Sequence, residues 1–431
     1  VTAGFGGWRT AAFLIVSTAV MAASGLTPWI SPDTDSWLAP CFRSACFGSP
    51  RFPLFALIIH GIGTSALPIV QDLLFIAAAG WLGFALRQRG ASANAALAVA
   101  VAPPLSAMLL LWGRAVLPDM LAQAALLGAL AGTLRGKLFP AALLGTVAYL
   151  FKPALLLFII GLPLLHLILN PAPRRAGVLF AGLLAPFLLI SGFRLATVGD
   201  FNIVSFGGFQ MSGMAALMLT DATIERLPAP LRPEAREILD RKTALIAAGA
   251  VSSIPQNSAG VRSIRSVAAG YFDILARTYD PLLYEGVRPT QAPGESWVAF
   301  NARLQALALA VIGAEPLDYL AWLFGAKARS IGHLLVFNPG IGVGVVLMTL
   351  GAFRRRRAPP SDDLWLLTWL VLIAAGGTIG LTILTTFPAA RYIDAEGMLV
   401  AALPLYWGLN LLFGEQPRRD VRQVGDVAGN R

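Results

Sequence analysis

Long apolar blocks recur along the chain, separated by short polar stretches that hold most of its charge. A helix needs about 20 apolar residues to cross the hydrocarbon of a bilayer. Blocks of this kind lie near 10–30, 68–86, 92–112, 119–134, 138–152, 154–170, 176–195, 331–352, 364–386 and 397–413. The pattern predicts about ten transmembrane helices. Two regions break it. Arg51-Phe52-Pro53 opens an apolar stretch reaching Leu67-Pro68 that, joined to the next block, exceeds one crossing. It predicts a helix lying along the membrane surface before the chain enters. Between 196 and 330 prolines and acidic residues gather, with no convincing span. There 232–239 and 297–304 read as helices with charge on their exposed sides, and Pro316 starts a further surface helix.

Composition strengthens the membrane reading. The chain is 56% hydrophobic and 13% charged, where soluble domains carry about 25% charged residues. Arg9, Arg87/Arg89, Arg135/Lys137, Arg174/Arg175, Arg354–Arg357 and Arg418/Arg419 fall at alternate ends of the blocks. Placing them in the cytoplasm satisfies the positive-inside bias at every crossing, with both termini inside. The Asp33 loop, Arg114, Lys152, Arg194 and Arg391 then face outward. The net charge of +10 reflects this topology and contact with anionic membrane lipids. Arginine runs without interleaved aromatics argue against a nucleic-acid partner. The first apolar run, ending Ala22-Ala23-Ser24-Gly25, is longer than the roughly 7–15 residues of a cleaved signal and is expected to remain as a span. The expected architecture is an all-α polytopic membrane protein. A transmembrane module covers 1–195 with a first outer loop over 31–67, a mostly helical extracytoplasmic domain covers 196–330, and a second transmembrane module covers 331–431.

The chemistry-bearing residues lie on the outer side. Asp33 and Asp35 sit in Ser31-Pro32-Asp33-Thr34-Asp35-Ser36-Trp37. One of them reads as a general base tuned by the other, and a helix N-cap is the alternative for either. Arg51 has the fork geometry of a phosphate clamp, although an arginine there also suits headgroup snorkelling. Lys152-Pro153, Arg391-Tyr392 and Arg114 are further candidate anion contacts, with headgroup snorkelling the alternative for Lys152, and Asp119 caps its helix or assists the site. Asp72, about 15 residues from Arg87, falls near the outer end of its span. Both cysteines, Cys41 and Cys46, lie in the first outer loop. In an oxidising compartment a bridge between them would hold the acids and Arg51 apart; two free thiols are the alternative. No paired His or Cys spacing suggests zinc, a divalent cation at Asp33 stays open, and no phosphate-loop or dinucleotide fingerprint occurs.

In this order the elements resemble the GT-C superfamily of multispanning glycosyltransferases, which includes protein O-mannosyltransferases and lipid A aminoarabinose transferases. The resemblance is carried by Asp33 with Trp37, the Arg51-x-Pro53-x-Phe55 element, Asp119 opening a later span, and Lys152-Pro153. It continues through the outer segment from Gly199, the Pro316-x-x-Tyr319-Leu320 helix and Arg391-Tyr392. It implies that Asp33 is the catalytic base and that Arg51 contacts the donor phosphate. It further implies a polyprenyl-phosphate sugar donor, a glycan or glycolipid acceptor, and a bacterial inner membrane with the site facing the periplasm. The chain is shorter than the aminoarabinose transferases. Thr34 stands where they carry a second acid and Pro50 where they carry glutamate, so their substrates do not transfer. A phosphate leaves without a general acid if cations balance it, and an outer-loop Asp can activate the attacking hydroxyl, a single displacement that would invert the anomeric centre. A lipid-linked glycan polymerase or ligase and a lipid-linked sugar transporter are the competing readings; the Asn338-Pro339-Gly340 break favours the transporter.

Overall fold

The computed structural model describes residues 7–25, 27–30, 33–38, 43–46, 53–106, 112–251, 279–353, 361–385 and 397–414. Those residues fold into helices without a β-strand; a single isolated bridge joins Trp29 to Ala115. The first bundle contains α1 (Gly7–Ser24), α2 (Thr34–Leu38), α3 (Leu54–Ile62), α4 (Leu67–Gln88), α5 (Ala93–Val101), α6 (Asp119–Leu134), α7 (Leu138–Phe151), α8 (Phe158–Leu169) and α9 (Pro173–Val198). Then come α10 (Gly207–Met218), α11 (Asp221–Arg226), α12 (Arg232–Ala247), α13 (Trp297–Ala314), α14 (Pro316–Phe337), α15 (Pro339–Ala352), α16 (Ser361–Thr385) and α17 (Ala402–Phe413).

Among the described residues four helices are long and apolar enough to cross a membrane: α1, α4, α9 and α13. The bent pair α14–α15 makes a fifth if it counts as one span. The chain is thus an α-helical protein built to sit in a membrane. At its centre is α6, buried along its whole length. Around it α4, α7 and α8 pack through Phe75, Leu82, Leu86, Ala141, Ala148, Leu162 and Leu165. α4 and α6 run in the same direction. Gln71 reaches the loop that precedes α6, and a Cβ on Gly128, further along α6, would lie 3.3 Å from the Trp81 ring.

Two stretches differ from the expected spans. The apolar run 92–112 is not one helix: α5 stops at Val101, and the chain turns at 102–106. Pro103 and Pro104 supply no backbone donor and cannot continue the ladder, and Ser106 Oγ donates back to the Pro103 carbonyl at 2.7 Å. The block starting near 331 belongs to a helix that already runs from Pro316. It bends by 63° where Asn338 breaks it, and Asn338 Oδ1 accepts from Gly340 N at 3.0 Å to cap α15.

The basic residues collect at one end of the bundle. Arg89 donates to the Leu134 carbonyl at 2.9 Å and to the Leu169 carbonyl at 2.7 Å, closing the C-termini of α6 and α8. A cation on the last carbonyls of two helices opposes their negative dipole ends. Arg135, Lys137, Arg174 and Arg175 follow those same helix ends in sequence. At this end Arg9 Nε donates to Asn94 Oδ1 at 3.1 Å and Asn94 Nδ2 to Asn410 Oδ1 at 3.1 Å. Asn410 Nδ2 in turn donates to the Tyr406 carbonyl, and Tyr406 Oη donates to Asp363 Oδ2 at 2.7 Å. The chain of bonds joins α1 and α5 to α16 and α17.

A second core lies in the 196–330 region. Phe209, Trp297, Phe300, Leu304 and Leu307 build it from α10 and α13. Trp297 Nε1 donates to the Ser205 carbonyl at 2.6 Å, and Asn301 Oδ1 accepts from Phe209 N at 3.0 Å. Although α13 is apolar and long enough to be a span, this face is committed to the second core.

Candidate functional site

At the end of the bundle opposite Arg89, the loop before α6 gathers neighbours from three directions. Trp29 N donates to the Arg114 carbonyl at 2.9 Å, and Val116 N returns a bond to the Trp29 carbonyl at 3.0 Å. Thr34 Oγ1, wholly buried, donates to the Val116 carbonyl at 3.2 Å. Gln71 Nε2 on α4 donates to the Gly113 and Ala115 carbonyls. Backbone groups of a buried loop need partners, and here the segment carrying Asp33 supplies several of them.

Asp119 opens α6 as its first helical residue, after Pro118 at the N-cap position. It does not act as the cap. Its Oδ1 instead lies 3.4 Å from Lys152 Nζ, with both side chains buried. The local sequence explains how Lys152 gets there. Pro153 cannot extend α7 and forces the residue before it out of the helical region. Lys152 is extended (φ −138°, ψ 97°) and the chain continues as a 3-10 turn over Pro153–Leu157. An acid in a first helical turn is further favoured by the positive dipole end.

Asp33 directly precedes α2 and is half-buried. Two ties hold α2 beside the Asp119–Lys152 pair. One is the bond from Thr34 to Val116, three residues before Asp119. The other is an aromatic series: Trp37 to Phe55 at 6.1 Å between ring centroids, then Phe55 to Phe151, the neighbour of Lys152, at 6.4 Å. The first loop also reaches the second core, where Val298 N on α13 donates to the Ser44 carbonyl at 3.1 Å. Cys46 in that turn is disulfide-bonded; Cys41, the only other cysteine of the chain, lies outside the described residues.

The structure therefore brings Asp33, Asp119 and Lys152 to one end of the bundle. Arg114 is there as well, with an exposed side chain. The side chain of Asp35, together with Arg51, Arg391 and Tyr392, lies outside the described residues. Arg194 serves the fold: it pairs with Asp200 at 3.0 Å and donates to Ser205 Oγ at 2.8 Å, fixing the turn after α9. Among the described residues no three His, Cys, Asp or Glu side chains come together as a metal site.

Several polar groups at this end escaped the sequence reading. Gln71, Asp72 and Gln123 are wholly buried. Gln71 Oε1, both Asp72 oxygens, Trp112 Nε1 and both polar atoms of Gln123 have no hydrogen-bond partner among the described residues. For Asp72 the sequence indicates only its depth in the span. The signal available for the glutamines was an amide inside an otherwise apolar helix, which by itself does not separate function from packing.

A scan against protein-family models found no match, and searches of curated proteins and of solved structures found none either.

Proposed function

We propose that the chain is a polytopic membrane glycosyltransferase of the GT-C kind, transferring a sugar from a polyprenyl-phosphate donor to an extracytoplasmic glycolipid or polysaccharide. The observation that carries this reading is the buried Lys152–Asp119 pair beneath the loop that bears Asp33. Lys152 brings positive charge to a site where a departing phosphate needs it, and Asp119 holds that charge in place. Asp33 takes the proton of the attacking acceptor hydroxyl. By the family resemblance Arg51 and Arg391, with Arg114, are assigned as cations for the phosphate, and Tyr392 as a further donor contact. One displacement on the far side of the anomeric carbon inverts it.

The ten-span topology belongs to this proposal. In it α1, α4, the segment containing α5, α6, α7, α8, α9, α15, α16 and α17 are the crossings. The Arg89 end faces the cytoplasm of a bacterial inner membrane, as the positive-inside bias requires. Several of these helices are short; α6, with 16 residues, spans only about 24 Å at 1.5 Å per residue. It is enclosed by other helices and need not match the bilayer thickness by itself. Asp33→Asn should abolish transfer from a panel of polyprenyl-phosphate sugars while the purified protein stays folded. Normal turnover by that variant would refute the assignment.

The 63° bend at Asn338 favours a second reading, a transporter of lipid-linked sugars, since discontinuous helices are common there. Movement of the sugar lipid into sealed vesicles without a covalent product would establish it in place of transfer.

A further inference from the structure

The turns that follow α6 and α8 meet at the basic end of the bundle. Arg89 ties the two helix ends together through the Leu134 and Leu169 carbonyls, so α7 and α9 both start there and run away from it side by side. They pack closely: a Cβ on Gly182 would lie 3.2 Å from the Ala142 Cβ, and Tyr149 Oη donates to the Leu183 carbonyl at 3.0 Å. Arg135 and Lys137 lie in the turn that enters α7, and Arg174 and Arg175 open α9. All four side chains are exposed. Among the described residues none of the four makes an ion pair or a side-chain hydrogen bond. The helices do not offset these charges either, since the starting end of a helix dipole is itself positive.

Beyond the cations the seam between α7 and α9 is apolar. Arg174, Val178, Ala181, Ala185 and Leu189 recur at helical spacing along one exposed strip of α9, and Phe139 and Leu143 form an exposed flank of α7. Because the two helices run in the same direction, these flanks turn to the same side of the Ala142–Gly182 contact. From Val178 to Leu189 the strip is about 16 Å long at 1.5 Å per residue, roughly half of the hydrocarbon core and so the depth of one leaflet. A soluble phosphate would use the cations without the strip, and a neutral lipid the strip without the cations. An anionic head joined to acyl chains uses both.

We propose that the α7–α9 seam binds one anionic phospholipid of the cytoplasmic leaflet. Its phosphate sits between Lys137 and Arg174, with Arg135 and Arg175 beside it, and its acyl chains lie along Phe139, Leu143 and Val178. The seam opens at the end of the bundle away from Asp119 and Lys152, so the proposal requires α7 and α9 to cross the membrane but does not depend on sugar transfer.

The test measures binding of acyl-labelled phosphatidylglycerol and phosphatidylcholine to purified full-length protein in neutral detergent micelles at low salt. The wild type should bind one phosphatidylglycerol at least about 30-fold tighter than phosphatidylcholine, and Lys137→Gln/Arg174→Gln should cut that preference about 10- to 30-fold. Arg354→Gln/Arg355→Gln, an equal loss of charge in the 354–357 arginine run, should change it by less than about twofold. Should the first pair fail to fold, Arg135→Gln/Arg175→Gln supplies an independent second one. Equal losses in the seam and control variants, or no preference in the wild type, would overturn a discrete site and leave diffuse attraction. Displacement of the labelled lipid by millimolar inorganic phosphate would overturn the lipid and give the cations to a soluble anion.

Discussion

A lysine and an aspartate buried 3.4 Å apart stand or fall together. Removing Lys152 leaves Asp119 buried without its ion-pair partner, at a cost of about 3–5 kcal/mol, whereas replacing both costs less than the two single changes together. Lys152→Met and Asp119→Asn should each lower the unfolding midpoint of the detergent-solubilised protein sharply. The double variant should recover most of the loss, and a simple sum of the two single losses would contradict the pairing. A half-buried lysine controls a pH effect beside the second core. Lys242 donates to the Leu217 and Leu219 carbonyls at 2.9 and 3.0 Å, and burial lowers its ammonium from 10.5 to about 8. Between about pH 8 and the unfolded value of 10.5 the unfolded chain binds more protons than the folded one, so stability rises with pH across that window. Below about 8 the whole cost of burying the ammonium is carried. Hydrogen exchange of α10 and α12 should slow in the wild type, relative to the intrinsic rate, as pH climbs from 8 to 10. In Lys242→Met this component should vanish, and an equal slope in both proteins would count against it.

Among the elements, α15 and α17 approach each other closely. Glycines permit it: a Cβ on Gly344 would fall 2.8 Å from Leu405 N and the Pro404 backbone, and Gly351 and Gly408 face Leu411 and Leu347. The register advances in step along both helices, so they run in parallel, the arrangement expected when the segment between them crosses once more as α16. Gly408→Val overpacks this seam and should cost about 1–3 kcal/mol, read as a lower melting temperature with no change at Gly342, which has open space around it, when that residue becomes Ala. How much of this was legible varies with the physics. The Lys152-Pro153 break could be read because proline forbids only a few outcomes. The end of α5 was overlooked because the apolar run of 92–112 continues across Pro103 and Pro104, and periodicity alone does not register a missing donor. The α15–α17 seam was invisible, since glycine spacing says that something approaches but not which helix. The candidate site was legible in its charged members, Asp33, Asp119 and Lys152. Gln71 and Gln123 were missed because a buried amide acquires meaning only when its partners, or their absence, are known.

At the scale of the whole molecule the two ends are chemically unlike. One end holds Arg9, Arg87, Arg89, Arg135, Lys137, Arg174 and Arg175, tied by Arg89 to the ends of α6 and α8 and by the Arg9–Asn94–Asn410 bonds to α17. The other holds a paired acid and lysine under a loop that also binds α13. Positive charge is retained on the cytoplasmic side during insertion, so under the proposed topology the site opens to the extracytoplasmic face. A donor carried on a lipid in the outer leaflet can reach Asp33 only if the Asp119 end is extracytoplasmic. Single cysteines placed where the chain is exposed test this directly: Arg114→Cys beside the site and Pro171→Cys after α8. A membrane-impermeant maleimide applied to intact cells should label position 114 above the wild-type background, and position 171 only after the membrane is permeabilised. The reverse pattern would put the site in the cytosol, where a hydroxyl attack on a lipid-linked sugar of the outer leaflet has no geometry. Labelling of both positions from one side would mean that α6, α7 and α8 do not together carry the chain across.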